Sequence, residues 1–320
     1  MNPLRIGLIG YDDIMALDLV GPTDAFTTAT IEEGNSGQQR CYEVLIIGLT
    51  GKPFTAESGI VFRPHKTLQT APALDTLIIP GGRGLRSGET SAKVMAWVKS
   101  RAAQIRRIAS VCTGIYGLAP TGLLDGLTAT TFYDLIDGLP TAAPKVKVVR
   151  DQRYVDNGKF ITTAGLSSGI DGALYVVTKL FGKGKAQMVA LNMEYDWKAD
   201  STYARASFAD RPIRKVFGRS LRLPVPQGIE VKVLSTEGTT RNWEVKWQLE
   251  GNTTPADVLK LLSESLNANE WTEQKATSSE AVRRLWKFND DGQEWQAVTE
   301  VVSASTKLMT ISLKIECIKR

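Results

Sequence analysis

The sequence predicts an α/β protein with a doubly wound, mainly parallel sheet, followed by a smaller, strand-rich α+β domain. Three observations support this class. Short apolar runs alternate with helical periodicities up to residue 197, the texture changes beyond that point, and a length of 320 residues favours about two domains. The strand-like runs are Ile6–Ile9, Val44–Gly48, Leu77–Ile79 and Ile105–Val111.

Helical periodicity lies between and after these runs. The segment Ser91–Gln104 places Val94 and Val98 on one face, which predicts a helix. Two further helices are predicted at Gly165–Phe181 and Lys185–Trp197. Strands that alternate with helices form βαβ units, in which consecutive strands run parallel and both sheet faces are covered.

The domain organisation follows from the change after residue 197. We expect a domain at 1–197, a linker at 198–226 and a second domain at 227–320. Residues 198–219 carry six Lys/Arg against two Asp/Glu, which is most of the net charge of +5. A basic segment can attract nucleic acid or an anionic membrane. We favour a solvated linker, because no flanking pattern indicates a helix-turn-helix or a stacking platform.

The last domain has the pattern of a small antiparallel sheet with one helix. That helix is predicted at Thr254–Leu266, with a cap at Thr253 or Thr254. Five of the seven tryptophans lie in this domain, and we expect them in its core, because a small domain gains buried area from large aromatics. The predicted strands are Glu230–Leu234, Asn242–Leu249, Arg284–Phe288, Trp295–Val302 and Leu308–Ile315, with a turn at Asn289–Gly292.

Composition excludes several classes of function. The chain is 42% hydrophobic and 23% charged, as in a soluble globular protein, and no apolar run reaches the roughly 18 residues of a membrane span. An apolar strand follows Met1 without a signal-peptide pattern, so we expect a cytoplasmic protein. Three widely spaced cysteines indicate reduced thiols. A single histidine, His65, cannot build a His-rich metal site.

The segment around Cys112 carries the strongest chemical signal. A β-run ends at Val111, and Cys112-Thr113-Gly114 leads into a helix-like segment. A cysteine on such a turn lies at the carboxyl edge of the sheet, and a helix N-terminus there would stabilise its thiolate. The alternative is a buried cysteine that only fills space at a strand end.

A second segment converges on the same edge. Gly81 and Gly82 follow a buried strand, so their N–H groups, with that of Thr113, could form an oxyanion-type pocket beside Cys112. A tight turn is the alternative, and a phosphate loop is excluded because no Gly-Lys-Ser/Thr follows. Asp18 stands between two leucines, where its pKa should rise unless it is paired, and it could share a proton with a thiol. Helix capping is the alternative for Asp18.

These segments, together with Gly122–Thr131 and Ala164–Leu174, resemble the ThiJ/PfpI superfamily, which has a class I glutamine-amidotransferase-like fold. The resemblance covers residues 4–197. It is most specific to the isonitrile hydratase branch and to the related sensor domain of AraC-type regulators. It implies a flavodoxin-like fold and commonly a homodimer. It also implies the site residues: Cys112 as nucleophile, Asp18 as acidic partner, Thr113 as substrate-binding neighbour, and Gly82 as oxyanion donor.

The sequence departs from its relatives in two places. Many relatives carry a histidine where this chain has Phe132-Tyr133, so Cys-His amidotransferase or peptidase chemistry is not expected. AraC-type regulators end in a helix-turn-helix pair, whereas this chain ends in a Trp-rich, strand-rich region. We therefore expect a small-molecule substrate, with no nucleic acid, membrane, metal or organic cofactor involved.

The resemblance implies a lyase that hydrates an isonitrile to an N-substituted formamide through a cysteine thioimidate. One alternative is a redox or ligand-sensing protein that uses Cys112 without turnover. Another is a glyoxalase-type enzyme, against which the missing histidine counts. The resemblance leaves the role of the C-terminal domain open.

Overall fold

A computed structural model of the chain describes residues 2–32, 38–86, 88–201, 203–274, 282–305 and 307–319. The chain forms two compact units, Met1–Ala206 and Ser207–Arg320. A short 3₁₀ helix, Arg205–Ser207, spans the division along the chain.

The first unit is organised around a central sheet. Its strands are β1 (Leu4–Gly10), β2 (Thr30–Glu32), β3 (Gln38–Arg40), β4 (Tyr42–Gly48), β5 (Phe54–Thr55), β6 (Val61–Phe62), β7 (Lys66–Thr67), β8 (Thr76–Ile79), β9 (Arg107–Ser110), β10 (Thr128–Ala129), β11 (Lys147–Val148), β12 (Tyr154–Asn157) and β13 (Phe160–Thr163). Seven of them form one sheet in the order β12-β13-β9-β8-β1-β4-β7. All neighbours in it run parallel except β12 and β13.

Helices accompany this sheet along the chain. They are α1 (Ala16–Thr28), α2 (Gly88–Arg101), α3 (Leu139–Ala142), α4 (Ser168–Phe181) and α5 (Lys183–Asn192). Short 3₁₀ helices occupy Arg83–Arg86, Ala102–Gln104, Cys112–Gly117, Ala119–Thr121 and Ile136–Gly138. Every residue of β8 is buried, as expected for a strand covered on both faces. The predicted flavodoxin-like α/β fold is confirmed.

Two helix boundaries differ from those predicted, because residues beside them have a left-handed backbone conformation. The helix predicted from Gly165 begins at Ser168, because Leu166 has φ +55° and cannot continue a right-handed helix. The helix predicted to reach Trp197 ends at Asn192, two residues before Glu194, which has φ +50°. Apolar periodicity does not report such left-handed residues.

The second unit is a six-stranded antiparallel sheet with two helices. Its strands are β14 (Glu230–Gly238), β15 (Asn242–Glu250), β16 (Thr272–Gln274), β17 (Arg283–Asp290), β18 (Gln293–Ser303) and β19 (Leu308–Lys319), and its helices are α6 (Arg211–Phe217) and α7 (Pro255–Asn267). The sheet order is β14-β15-β19-β18-β17-β16. All five tryptophans of this unit are buried in its core, as predicted. Thr254 caps α7 by accepting the Asp257 N–H at 3.2 Å.

The segment predicted as a linker at 198–226 is largely part of the second unit. Ile213 and Phe217, one turn apart on α6, are buried in its core, and the Phe217 ring lies 5.7 Å from that of Trp247. The basic residues of α6 pair with acidic residues of the same unit, Arg211 and Lys215 with Asp290 among them. The prolines that suggested a linker obscured the i, i+4 apolar pair that makes α6 a core helix.

Candidate active site

Cys112 lies at the carboxyl edge of the central sheet, two residues after the end of β9. Its φ of +56° is left-handed, a conformation that costs a non-glycine residue energy and persists only when neighbouring groups hold it. Two hydrogen bonds to the Cys112 backbone hold it in this conformation. The Cys112 N–H donates to Ala164 O at 3.0 Å, and Thr131 Oγ1 donates to Cys112 O at 2.7 Å. The residue is 5% exposed, so the cysteine is almost completely buried.

The turn after Cys112 requires a glycine. A Cβ on Gly114 would lie 1.9 Å from Ile79 O, the last carbonyl of β8. No side chain fits at that distance, so the backbone of the turn packs directly on the neighbouring strand. The glycine of the Cys-Thr-Gly sequence is thus explained by the close approach of its backbone to the end of β8.

Asp18 extends to this edge from α1. The side chain is fully buried, and Oδ2 accepts the Gly81 N–H at 3.0 Å. Its Oδ1 makes no hydrogen bond of normal geometry among the described residues. Burial raises the pKa of Asp18 to about 7, and Glu57 adds to the rise. The Gly81 amide, the Cys112 thiol and the Leu166 amide lower that pKa again. The predicted raised pKa is confirmed.

Thr113 and Gly82 form a second contact in the same loop. The Gly82 N–H donates to Thr113 Oγ1 at 2.9 Å. A Cβ on Gly81 would lie 2.6 Å from the Thr113 nitrogen and 2.8 Å from Asp18 Oδ2, so the loop packs tightly on both residues. The amides of Gly81 and Gly82 therefore donate to Asp18 and Thr113, and not into an open oxyanion pocket. Of the three predicted donors, the Thr113 N–H is the one that faces the Cys112 thiol.

The pKa of Cys112 is raised above its ordinary value, which is the direction opposite to that expected for a stabilised thiolate. Burial is the largest cause, followed by the charge of Asp18, while the amides of Thr113 and Leu166 act in the opposite direction. The element that begins at Cys112 is a six-residue 3₁₀ helix, so it lacks the aligned peptide dipoles of a long α-helix. The carboxyl therefore loses its proton before the thiol, and the two groups titrate as a coupled pair.

Three residues of the site were missed from sequence. Tyr11 directly follows β1, and its hydroxyl donates to Pro80 O at 2.6 Å. Burial raises the Tyr11 pKa first, and Asp18, Cys112 and Glu57 add to it. Glu57 accepts the Arg83 N–H at 2.7 Å. The third is Leu166. The position of Tyr11 at a strand end could have been noticed, whereas Glu57 and Leu166 are brought in by loops.

Histidine takes no part in this arrangement. Nδ1 of His65 accepts the Ile46 N–H at 2.9 Å, so the ring is bonded to the backbone of β4. The Phe132 ring lies 2.5 Å from where a Cβ on Gly165 would be, and so packs on the loop after β13.

Within the part of the chain that the structure describes, no group of His, Cys, Asp or Glu could hold a metal ion. No helix among the described residues is long and apolar enough to cross a membrane.

The Cys112 thiol lies after the end of a strand and beside a buried carboxyl, on a mainly parallel sheet. This arrangement is that of a doubly wound α/β protein with a cysteine site. The chain belongs to the DJ-1/PfpI family, whose model matches residues 5–179. It is similar to a crystal structure of a ThiJ/PfpI family protein from Pseudomonas syringae, with a TM-score of 0.53, 28% identity, and coverage of 63% of this chain and 78% of that one. Drosophila melanogaster DJ-1beta shares the fold at a TM-score of 0.52 and 20% identity, covering 61% of this chain and 100% of the other.

Relatives of two kinds match the sequence. An isonitrile hydratase from Pseudomonas putida is 35% identical over 195 residues, which is 60% of this chain and 78% of the relative. The HTH-type transcriptional regulator GbdR from Pseudomonas aeruginosa is 27% identical over 182 residues, 57% of this chain and 48% of the regulator. The expectation that no nucleic acid is bound is not supported by such relatives. Family membership is established, and both kinds of activity occur among the similar proteins.

Proposed function

We propose that this protein hydrates isonitriles, converting R–NC and water to an N-substituted formamide. The observation that carries the proposal is the buried Asp18 carboxyl, with a pKa raised to about 7, beside the Cys112 thiol. The reaction needs a nucleophile and one group that both accepts and delivers a proton near neutral pH, and the pair supplies both. The similarity to the Pseudomonas putida isonitrile hydratase supports the same assignment.

In the first step the thiol adds across the terminal carbon of the isonitrile. The Asp18 carboxylate removes the Cys112 proton, and the sulfur attacks the carbon. Asp18 then delivers the same proton to that carbon, which gives the thioimidate R–N=CH–S-Cys112. The raised pKa of Asp18 suits this relay, because a carboxyl that titrates near pH 7 can both accept and release the proton at neutral pH. No histidine is needed.

In the second step water adds to the thioimidate carbon. Asp18, again a carboxylate, removes a proton from the water and delivers it to the nitrogen, which gives R–NH–CH(OH)–S-Cys112. Collapse breaks the C–S bond and forms the C=O bond of the formamide. The hydroxyl proton returns through Asp18 to the departing sulfur. The Thr113 N–H faces that sulfur and stabilises its developing charge.

The test is formamide production from cyclohexyl isocyanide by the full chain. Cys112→Ala and Asp18→Asn should each lower kcat by a factor of at least about 100, the usual contribution of a nucleophile or a proton-transfer group. Cys41→Ala removes another buried cysteine and is the matched control, with wild-type turnover expected. Full activity in Cys112→Ala, or no turnover in the wild type, would contradict the proposal.

The second candidate is a sensing protein, because regulators are among the relatives. A redox sensor needs a thiolate that forms sulfenic acid readily. The raised pKa of Cys112 opposes this, since the thiol is the resting form. Mass spectrometry after brief peroxide treatment separates the candidates. Rapid oxidation of Cys112, unchanged in Asp18→Asn, would favour sensing over hydration.

Assembly and location are further parts of the proposal. A homodimer acting on a small molecule in the cytoplasm is the state we propose, on the resemblance to this family. Light scattering of the purified chain decides the oligomer, and a mass of 35.0 kDa would show a monomer. The second unit is proposed as an accessory domain.

A further inference from the structure

A buried ionic cluster lies beside the loop that follows β13. Nε of Arg153 donates to Asp171 Oδ2 at 2.5 Å, and its Nη2 contacts the same oxygen and donates to Ser167 Oγ at 3.1 Å. The Tyr195 hydroxyl lies 3.1 Å from Asp171 Oδ1 and 3.3 Å from Ser167 O. The side chains of Arg153 and Asp171 are 13% and 7% exposed, so this is an interior cluster.

Residues of the cluster make hydrogen bonds to both ends of the loop 164–167. At one end, Arg153 O accepts the Ala164 N–H at 2.8 Å, and at the other, the Arg153 guanidinium and the Tyr195 hydroxyl bind Ser167. Ala164 in turn accepts the Cys112 N–H at 3.0 Å. Arg153 is therefore connected to the backbone of the cysteine through one intervening residue.

We infer that Arg153 is a positioning residue for Cys112, acting with Asp171 and Tyr195 through the loop 164–167. The cluster keeps Ala164 O on the Cys112 amide and directs the Leu166 N–H towards the pair of Cys112 and Asp18. Neither Arg153 nor Asp171 bonds to the thiol itself. The inference rests on the proposed function only in treating Cys112 as the reacting group.

Backbone strain explains why such a cluster is needed. Cys112 and Leu166 are both non-glycine residues in the left-handed region, with φ of +56° and +55°. Conformations of this kind persist when the surrounding structure holds them. A buried ion pair is a poor way to gain stability, because apolar side chains of similar volume do so at least as well. Its position against a strained loop beside the cysteine fits a role in geometry.

The pair offers a readout that a merely structural role would not move. The Leu166 amide lowers the pKa of both Asp18 and Cys112, so releasing the loop should raise both. The other titratable groups that face the pair are Glu57 and Tyr11, which approach from other segments and make no hydrogen bond or ion pair with Arg153 among the described residues. A change in the pH profile of Cys112 therefore reports on the loop.

The experiment follows the rate of Cys112 alkylation by iodoacetamide against pH, with the modified peptide quantified by mass spectrometry. Arg153→Met should slow alkylation about tenfold at pH 8, because misplaced site groups commonly cost a factor of ten or more, and should move the profile to higher pH. Arg153→Lys should restore part of the rate. Lys179→Met is the matched control: Lys179 pairs with Asp156 at 3.2 Å and, like Arg153, connects the β12 segment to α4.

A folded Arg153→Met protein with the wild-type profile would overturn the inference, as would an equal effect of Lys179→Met. Should Arg153→Met not fold, Tyr195→Phe decides: a roughly threefold slowing supports the role, and a wild-type profile overturns it. Alkylation does not depend on isonitrile turnover. A shifted profile in a protein that makes no formamide would therefore reject the proposed function and retain this inference.

Discussion

Asp18 makes folding depend on pH in a direction opposite to that of most carboxyls. Burial raises its pKa from 3.8 to about 7. Between these values the folded chain holds a proton that the unfolded chain has lost. The contribution of Asp18 to the free energy of unfolding is therefore most favourable below pH 4. This contribution falls by about 1.4 kcal/mol for each pH unit up to about pH 7. Above pH 7 the full cost, about 4 kcal/mol, is present.

Asp18→Asn removes this dependence while preserving the shape of the side chain and an oxygen for the Gly81 N–H. The variant should gain roughly 4 kcal/mol relative to wild type between pH 4 and pH 8. Urea unfolding at a series of pH values measures the difference. Asp24→Asn, which changes an exposed aspartate of the same helix, is the control. A difference between wild type and Asp18→Asn that stays flat from pH 4 to pH 8 would refute the reasoning.

Two further predictions concern packing and capping. Gly114→Ala should lower the free energy of unfolding by about 2–4 kcal/mol, because the new methyl would lie 1.9 Å from Ile79 O. Gly184→Ala is the control: it lies in a helix with open space around it, and the change should be neutral or slightly stabilising. Chemical unfolding of both variants tests this prediction. Thr254→Ala should destabilise the second unit by about 1 kcal/mol through loss of the helix cap, and equal loss in Thr253→Ala would count against Thr254 as the cap.

Local signals in the sequence were sufficient for the main elements of the fold. Buried strands such as β8 are continuous apolar runs, and their order as βαβ units specifies a parallel sheet. Cys112 and Gly81 could be assigned to one site because each follows a strand that ends at the carboxyl edge of that sheet, and the family resemblance added Asp18. Thr254 was recognisable as a cap because the pattern is contained within four residues.

The remainder depends on contacts that no local pattern contains. The pKa of Cys112 is set first by burial and then by the charge of Asp18, and both are tertiary outcomes. The Leu166 amide faces the pair because Leu166 itself adopts a left-handed conformation in a loop. Ile213 belongs to the second core because a sheet far along the chain covers it, although the prolines around it suggested a linker.

The loop of Gly81 and Gly82 has a consequence for how this site can change. Two consecutive amides bind the acid and the neighbour of the nucleophile, at 3.0 Å and 2.9 Å. Successive Cα atoms are separated by a fixed 3.8 Å, so the chain geometry of the two glycines sets the spacing of the Asp18 carboxyl and the Thr113 hydroxyl. Substitutions elsewhere in the walls can alter which substituent is admitted while that spacing stays constant. A site of this design can diversify in substrate and still retain the proposed proton relay.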